Sequence, residues 1–354
     1  KICYRRRTKV LVTLRTPMSL ARRQRFFRLN KLEEDTSLLL MRKLGEQYGI
    51  DQVKRAEESF LKKINARLDG HPNAIEVVIP RLEAMPLEGV LEELPQVLAA
   101  DIGPILEWSF NLLTSEEREF LLEISVYDGE VPYNALKAVH VESASLPVKE
   151  LVEKNLLIYD DALKLYSLHP LVREFAYNQL RRERRRKLHR LAARYFQFEE
   201  GKDSVSAIYH MYGAEDWRAG IYTTARIVET LVLRGFWAEA KNLCEQGLSA
   251  SRKIKGVEEE SYFLFNLARM HDRLGNLDEA AKLYEQSLEI LQKIGDMSGI
   301  SASLHQIAMI EQDRRNYDEA IKLYKQSLEI NQKLGYLSGI SASLHQIAMI
   351  EQDR

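Results

Sequence analysis

Seventeen residues of this chain occur twice without a change. Ser298–Arg314 reads SGISASLHQIAMIEQDR, and Ser338–Arg354 repeats it forty positions later. The flanking stretches Leu277–Gly295 and Tyr317–Gly335 keep the same interval, and a weaker copy lies at Phe236–Leu248. A fixed short period means that each unit is one supersecondary element that buries its apolar face only by stacking on its neighbours. Ala320, Leu323, Tyr324 and Ser327 fall at i, i+3, i+4 and i+7, one face of a helix. Leu304, Ile307 and Ala308 make a matching stripe on the preceding helix, and the small Ala308 and Ala320 let the two approach closely. Between them, Asn316 is placed to leave one helix and Asp318 to cap or charge-bias the start of the next. Each unit thus reads as a helical hairpin. The final stripe, Leu344, Ile347 and Ala348, has no following helix in the sequence, so the array is expected to continue in a longer parent protein.

The set Ala268, Gly275, Ala280 and Tyr284 follows a small–glycine–small–aromatic pattern that resembles tetratricopeptide repeats. Two copies depart from it. Val228, Gly235, Ala240 and Cys244 end without the aromatic, and Ala308, Arg315, Ala320 and Tyr324 lack the glycine. The period also exceeds the roughly 34 residues usual for such repeats. The surplus falls around KIGDMSG and KLGYLSG, which calls for a longer second helix or a larger loop. The resemblance covers 223–354 and implies a concave surface for a protein or peptide ligand.

The 354 residues allow two or three domains, and 45% hydrophobic with 29% charged content is ordinary for a soluble protein with real cores. A net charge of −1 argues against a chain that binds nucleic acid along its whole length. The charge is uneven: Lys1–Arg28 holds ten Lys and Arg and no acid. Cys3 and Cys244 are too few and too far apart for a disulfide framework or a zinc site, which points to a reducing, cytoplasmic setting. No apolar run approaches the ~18 residues of a membrane span. The basic start has no h-region or cleavage site of a signal peptide and no initiating Met, so the chain is expected to begin within a domain.

Ahead of the repeats the pattern changes. Thr8–Pro17 is an apolar, β-branched run that reads as a buried strand. Leu32–Gly49 reads as a helix with an acidic first turn, and Ser59–Met85 as two helical pieces split by Asp69-Gly70-His71-Pro72. Thr114, with Glu117 three places on, fits a capping box. Leu146–Leu157 reads as a further helix, and Leu157–His169 as two short strands around Asp160–Asp161. Helices followed by such a hairpin describe a winged helix.

The order of these pieces resembles the carboxy-terminal part of an NB-ARC module, within the STAND class of P-loop NTPases. Lys9–Arg15 resembles the late core strand that ends in a sensor arginine, and LDGHPNAIEVV resembles the Gly-x-Pro motif of the helical lid. Leu106–Gly129 resembles the entry to the winged-helix domain, YSLHPLVREFAY its histidine motif, and Lys187–Trp217 the helical arm of bacterial members. The fold class implied is mostly α: the end of an α/β nucleotide-binding core over 1–28, a helical lid over 29–100, a winged helix over 101–182, a helical arm over 183–222, then an α-solenoid of tetratricopeptide repeats over 223–354. The resemblance implies ADP or ATP as the bound nucleotide. Arg15 would contact the γ-phosphate, Gly70 and Pro72 would lie against adenine and ribose, and His169 would reach the β-phosphate of ADP. The competing readings are a surface arginine, a plain helix break and a structural histidine at a turn. The family motif usually has Met before and Asp after the histidine, where this chain has Leu168 and Pro170.

The sequence contains no G-x-x-x-x-G-K-[ST] loop; Gly201–Lys202 has Phe196 where the first glycine would stand and no strand before it. Phosphate and Mg²⁺ ligands are therefore expected outside this chain, which should not hydrolyse ATP alone. No hydrolase elbow or zincin helix occurs, so no catalytic or metal-ligating residue is assigned. His305 and His345 occupy one repeat position and read as solvated face residues. The basic run Leu180–Arg190 raises DNA binding as an alternative. The expected recognition helix, however, balances Lys149 and Lys154 with Glu150 and Glu153, and the run reads instead as a solvated face or domain contact. The whole describes a signalling switch that ADP closes, that a ligand on the repeats opens, and that homo-oligomerises when active. The alternative is a non-enzymatic tetratricopeptide adaptor or a winged-helix transcriptional regulator.

Overall fold

A computed structural model describes residues 31–83, 87–95, 102–140, 147–198 and 203–353. The strand expected at Thr8–Pro17, Arg15 and the basic amino terminus lie outside them. The chain divides into two compact units between Ser109 and Phe110.

The first unit contains α1 (Glu34–Gln47), α2 (Asp51–Arg55), α3 (Glu58–Leu68), α4 (Pro72–Val78), a 3₁₀ turn (Ile79–Glu83) and α5 (Leu87–Glu93); α6 (Gly103–Asn111) carries the boundary. Glu34 and Asp35 supply the acidic first turn of α1, favourable at the positive end of the helix dipole. Met41, Leu61, Ile64, Leu68, Ile75 and Ile79 are fully buried and form the core. The Arg42 guanidinium donates to the carbonyls of Val53, Lys54 and Ala56, each at 2.6 Å, and so satisfies acceptors that the end of α2 leaves without helical donors.

The second unit opens with α7 (Ser115–Ile124), β1 (Val131–Pro132), α8 (Tyr133–Val139), α9 (Val148–Glu153), β2 (Leu157–Asp160), β3 (Leu165–Leu168) and α10 (Pro170–Gln179). The capping box forms: the Glu117 amide donates to Thr114 Oγ1 at 3.2 Å, and the Thr114 amide donates to Glu117 Oε2 at 2.9 Å. The strands make an antiparallel sheet in the order β1-β3-β2, with Tyr159 opposite Tyr166. The hairpin turn is Asp161–Lys164. Asp160, its last strand residue, accepts from the amides of Ala162 and Leu163 at 2.8 and 2.9 Å. The two-residue β1 has no signature in the sequence.

A helical pair follows, α11 (Arg182–Phe198) and α12 (Ser204–Gly213). Part of the basic run of α11 makes contacts within this unit. Arg182 makes a two-pronged pair with Glu215 at 2.7 Å, Arg184 bonds Glu119 and Glu123, and the Arg185 guanidinium lies 4.4 Å from the Tyr177 ring. Arg184 and Arg185 make the run partly a contact within the unit, while Arg182, Lys187 and Arg190 stay exposed on the helix face.

The repeat array comprises α13 (Trp217–Arg234), α14 (Trp237–Ile254), α15 (Val257–Arg273), α16 (Leu277–Ile294), α17 (Met297–Asp313), α18 (Tyr317–Leu334) and α19 (Leu337–Asp353). The stripe read from the sequence is the buried one: Ala308, Ala320 and Tyr324 are inaccessible, with Leu323 and Ile347 packed beside them. The surplus over the usual period lies in helix length. α16 and α18 each run 18 residues, and only Gly295-Asp296 and Gly335-Tyr336 separate them from the next helix. Both glycines take a left-handed φ (75° and 67°), which ends the helix without the Cβ penalty. At Arg315 the same role falls to a non-glycine residue at φ 63°. Asn316 stands at the N-cap of α18 without a side-chain capping bond; its side-chain Nδ2 instead donates to Glu311 Oε2 at 2.6 Å. No helix among the described residues is long and apolar enough to cross a membrane.

Candidate functional site

Gly70 and Pro72 share one turn in the first unit. Asp69 (φ 50°) and Gly70 (φ 63°) are both left-handed, and the Leu32 amide donates to the Gly70 carbonyl at 2.8 Å. A Cβ on Gly70 would come 2.5 Å from the Leu32 carbonyl oxygen, so glycine is demanded by a close backbone crossing. Pro72 opens α4 at a position where its missing N–H costs nothing. His71 between them is the N-cap of α4 but makes no side-chain cap. Burial lowers its imidazole pKa, against a smaller opposing pull from Asp69.

His169 belongs to the second unit and is the N-cap of α10. Its Nδ1 accepts from the Leu171 amide at 3.3 Å. A neutral ring in this pose carries its proton on Nε2 and donates only from there. The half-buried ring thus stands at the positive end of a ten-residue helix, where an anion is favoured. Arg15, the fourth residue expected at a nucleotide, lies outside the described residues. Among the described residues no group of three or more His, Cys, Asp or Glu is placed to hold a metal ion.

Two features of the second unit escaped the sequence reading. The first is a buried imidazole pair, with His189 Nδ1 2.8 Å from His210 Nδ1. The second is a groove of about 480 Å³ between α15, α16 and α17, with Tyr262, Phe265, Leu291 and Ile294 along it and Glu258 and Asp296 at its edge. Tyr262 and Phe265 stand three apart on α15, a spacing that could have flagged a second apolar face beside the consensus stripe.

The array carries the decisive match. Residues 218–293 and 301–334 each fit a tetratricopeptide-repeat family model. These helices are tetratricopeptide repeats. Such repeats generally mediate protein–protein interaction.

Among solved structures, the chain is similar to a Signal Transduction ATPase with Numerous Domains (STAND) protein with a tetratricopeptide repeat sensor from Pyrococcus horikoshii. The identity is 15% and the TM-score 0.41, over 91% of this chain and 57% of that one. This chain therefore spans little more than half that protein's length. It is also similar to the nearly identical TPR-like repeats of a Podospora anserina protein assigned as a kinesin light chain (22% identity, TM-score 0.33, 49% of this chain and 90% of that one). Aspartyl phosphate phosphatase F of Bacillus subtilis is a third (11% identity, TM-score 0.34, 89% of this chain and 79% of that one). A comparison with curated proteins gives no significant match.

Within the tetratricopeptide helices the departures from the pattern have local causes. Cys244 replaces the aromatic and is completely buried. Tyr284 and Tyr324, at the equivalent positions, are equally buried, and their hydroxyls face Gln306 and Gln312 at 3.5 and 2.9 Å. His305 corrects the reading of it as a solvated face residue. Its ring packs edge-on against Tyr324 at 5.0 Å, and burial depresses its pKa. His345, the same repeat position one period on, is exposed.

Proposed function

We propose that this chain is the closing and sensing part of an ADP/ATP-dependent signalling switch, with the tetratricopeptide array as the protein- or peptide-binding sensor. The observation that carries the reading is the order of elements around His169. A capped helix, a short strand, two helices and a two-stranded hairpin lead into an imidazole at the start of α10, followed by a helical pair and the array. That order is the one expected of a winged helix that presents a histidine to a nucleotide, and it supports the winged-helix assignment.

In this reading His169 donates from Nε2 to the β-phosphate of ADP, assisted by the N-terminal dipole of α10. Gly70 and Pro72 supply a tightly turned backbone against adenine and ribose, and Arg15 supplies planar donors for the γ-phosphate of ATP. These 354 residues contain no G-x-x-x-x-G-K-[ST] loop, so in this reading the chain contributes closure over a nucleotide held largely by other residues. A ligand on the repeats opens the switch only if it binds the open state more tightly than the closed one, and the opened molecules assemble into a homo-oligomer.

The cap that His169 Nδ1 makes to Leu171 favours a second reading, in which the histidine only starts a helix and the protein is a non-enzymatic adaptor. Nucleotide retained by the natural gene product separates the two. ADP is expected to copurify and to be extracted on denaturation, and His169→Ala is expected to reduce retained ADP relative to ATP. A folded protein that never carries ADP, wild type or variant, favours the adaptor.

A further inference from the structure

The groove of the array has an uneven chemistry that the repeat consensus does not dictate. Its wall is apolar, made by Tyr262 and Phe265 of α15, Leu291 and Ile294 of α16, and Ala302 of α17. The hydroxyl of Ser287 donates to the Ser261 carbonyl at 3.0 Å, so these polar atoms are already paired and do not compete for a ligand. The charged side chains along the groove are Glu258 and Asp296, both exposed; no Lys or Arg lines it. The carbonyl end of α16 also closes at Gly295, adding the negative end of a helix dipole to the same rim. At about 480 Å³ the space lies within the ~300–1,000 Å³ typical of specific pockets.

One period further on the same positions read differently. Glu258 and Asp296 become Ser298 and Tyr336, Leu291 becomes Asn331, and Tyr262 and Phe265 become Ala302 and His305. The apolar wall with an acidic edge is therefore a property of this place and not of the repeat.

We infer that this groove binds a linear segment of a partner protein that presents bulky apolar side chains next to Lys or Arg. The apolar side chains fill the wall of Phe265, Leu291 and Ile294. The cation faces Glu258, Asp296 and the end of α16. Charge at such a rim sets selectivity and association rate more than total affinity. The inference rests on the protein-binding role of the array and is independent of the nucleotide reading.

The test uses the full chain and fluorescein-labelled dodecapeptides with a central Phe-Leu pair flanked by Lys, by Glu or by Ser. Fluorescence anisotropy at low salt should show binding of the Lys peptide, at least about tenfold weaker binding of the Glu peptide, and loss of that preference as salt is added. Glu258→Gln with Asp296→Asn removes the charge while Asn keeps the N-cap that Asp296 provides to Gly299. This pair should abolish the preference for Lys and leave the circular dichroism melt in place. Ala302→Trp, at an exposed position, should block all peptides. Equal binding of the three peptides, or no binding of any, overturns the inference. So does a Lys preference that survives the double substitution. Binding unaffected by Ala302→Trp would leave the array a peptide binder and place the site elsewhere. None of these outcomes bears on retained ADP.

Discussion

Acid should loosen the junction of α10, α11 and α12 through one pair of rings. His189 and His210 are 1% and 2% exposed, and their Nδ1 atoms are 2.8 Å apart. That contact needs one ring to donate and the other to accept, which two neutral imidazoles manage. The Tyr177 hydroxyl lies 3.0 Å from His189 Nε2, and a Cβ on Gly213 would come 2.5 Å from His189 Nδ1, so His189 is held between Tyr177 and the Gly213 backbone. The charged groups facing it are Arg173 and Arg185; Asp128 is paired with Arg173 at 3.2 Å. Burial first, then these two cations, push the His189 pKa down to about 4, and burial holds His210 well below its ordinary value. An unfolded histidine titrates near ~6.5. The unfolded chain therefore binds more protons between those limits, and stability, complete above that range, falls as pH drops through it. For His189 alone the loss between pH 7 and pH 5 is about 2 kcal/mol, with His210 adding to it. Two measurements check this. Imidazole C2-proton shifts should show neither ring titrating near 6.5 in the folded protein. Amide exchange, corrected for its intrinsic pH dependence, should show opening of α11 and α12 easing by that amount while α15–α18 change little. A ring that titrates near 6.5 with the fold intact, or protection of α11 and α12 that is level from pH 7 to 5, refutes the argument.

Two further outcomes follow from packing. A Cβ on Gly247 would sit 2.3 Å from the Phe263 ring, so Gly247→Ala should cost about 1–3 kcal/mol by overpacking, less the ~1 kcal/mol that Ala gains in a helix. The added Phe263→Leu should recover part of the loss in a thermal melt, and a Gly247→Ala protein that melts higher than wild type would contradict the packing. Cys244 is fully buried, and burial pushes its thiol up to about 12. Iodoacetamide at pH 8 should leave it unlabelled by mass spectrometry until the array is unfolded, whereas native labelling at the rate of an exposed thiol would show that the array opens there.

How far the sequence discloses this molecule depends on the range over which each feature is built. Features made within one turn or one hairpin were legible. The Thr114–Glu117 box, the break at Asp69-Gly70 and the stripe of Ala320 and Tyr324 all form as read, because the residues that make them are a few positions apart. Features assembled across helices were not. Arg182 and Arg184 look like part of a nucleic-acid signal until Glu119, Glu123 and Glu215 meet them from elsewhere in the unit. His189 is hidden inside that same run, and its partner lies 21 residues away on the other arm of a hairpin. Arg15, Gly70, Pro72 and His169 are assigned to a nucleotide only through a motif order; the geometry gives Gly70, Pro72 and His169 a local role in turns and helix starts.

The repeat illustrates why scaffold and chemistry separate so cleanly. Positions that face the neighbouring helix are held small or aromatic by packing, as at Ala280 and Ala320 or Tyr284 and Tyr324, and they announce the fold through identity. Several positions that line the groove differ between units even where they are also packed, as with the buried Leu291 and Asn331 and with His305 on Tyr324. Phe265 against His305, Leu291 against Asn331 and Asp296 against Tyr336 are differences of this kind. Copies that agree at the buried stripe and disagree along the groove are what a binding array requires: one stacking rule, repeated, with recognition written into the places where the copies stop matching.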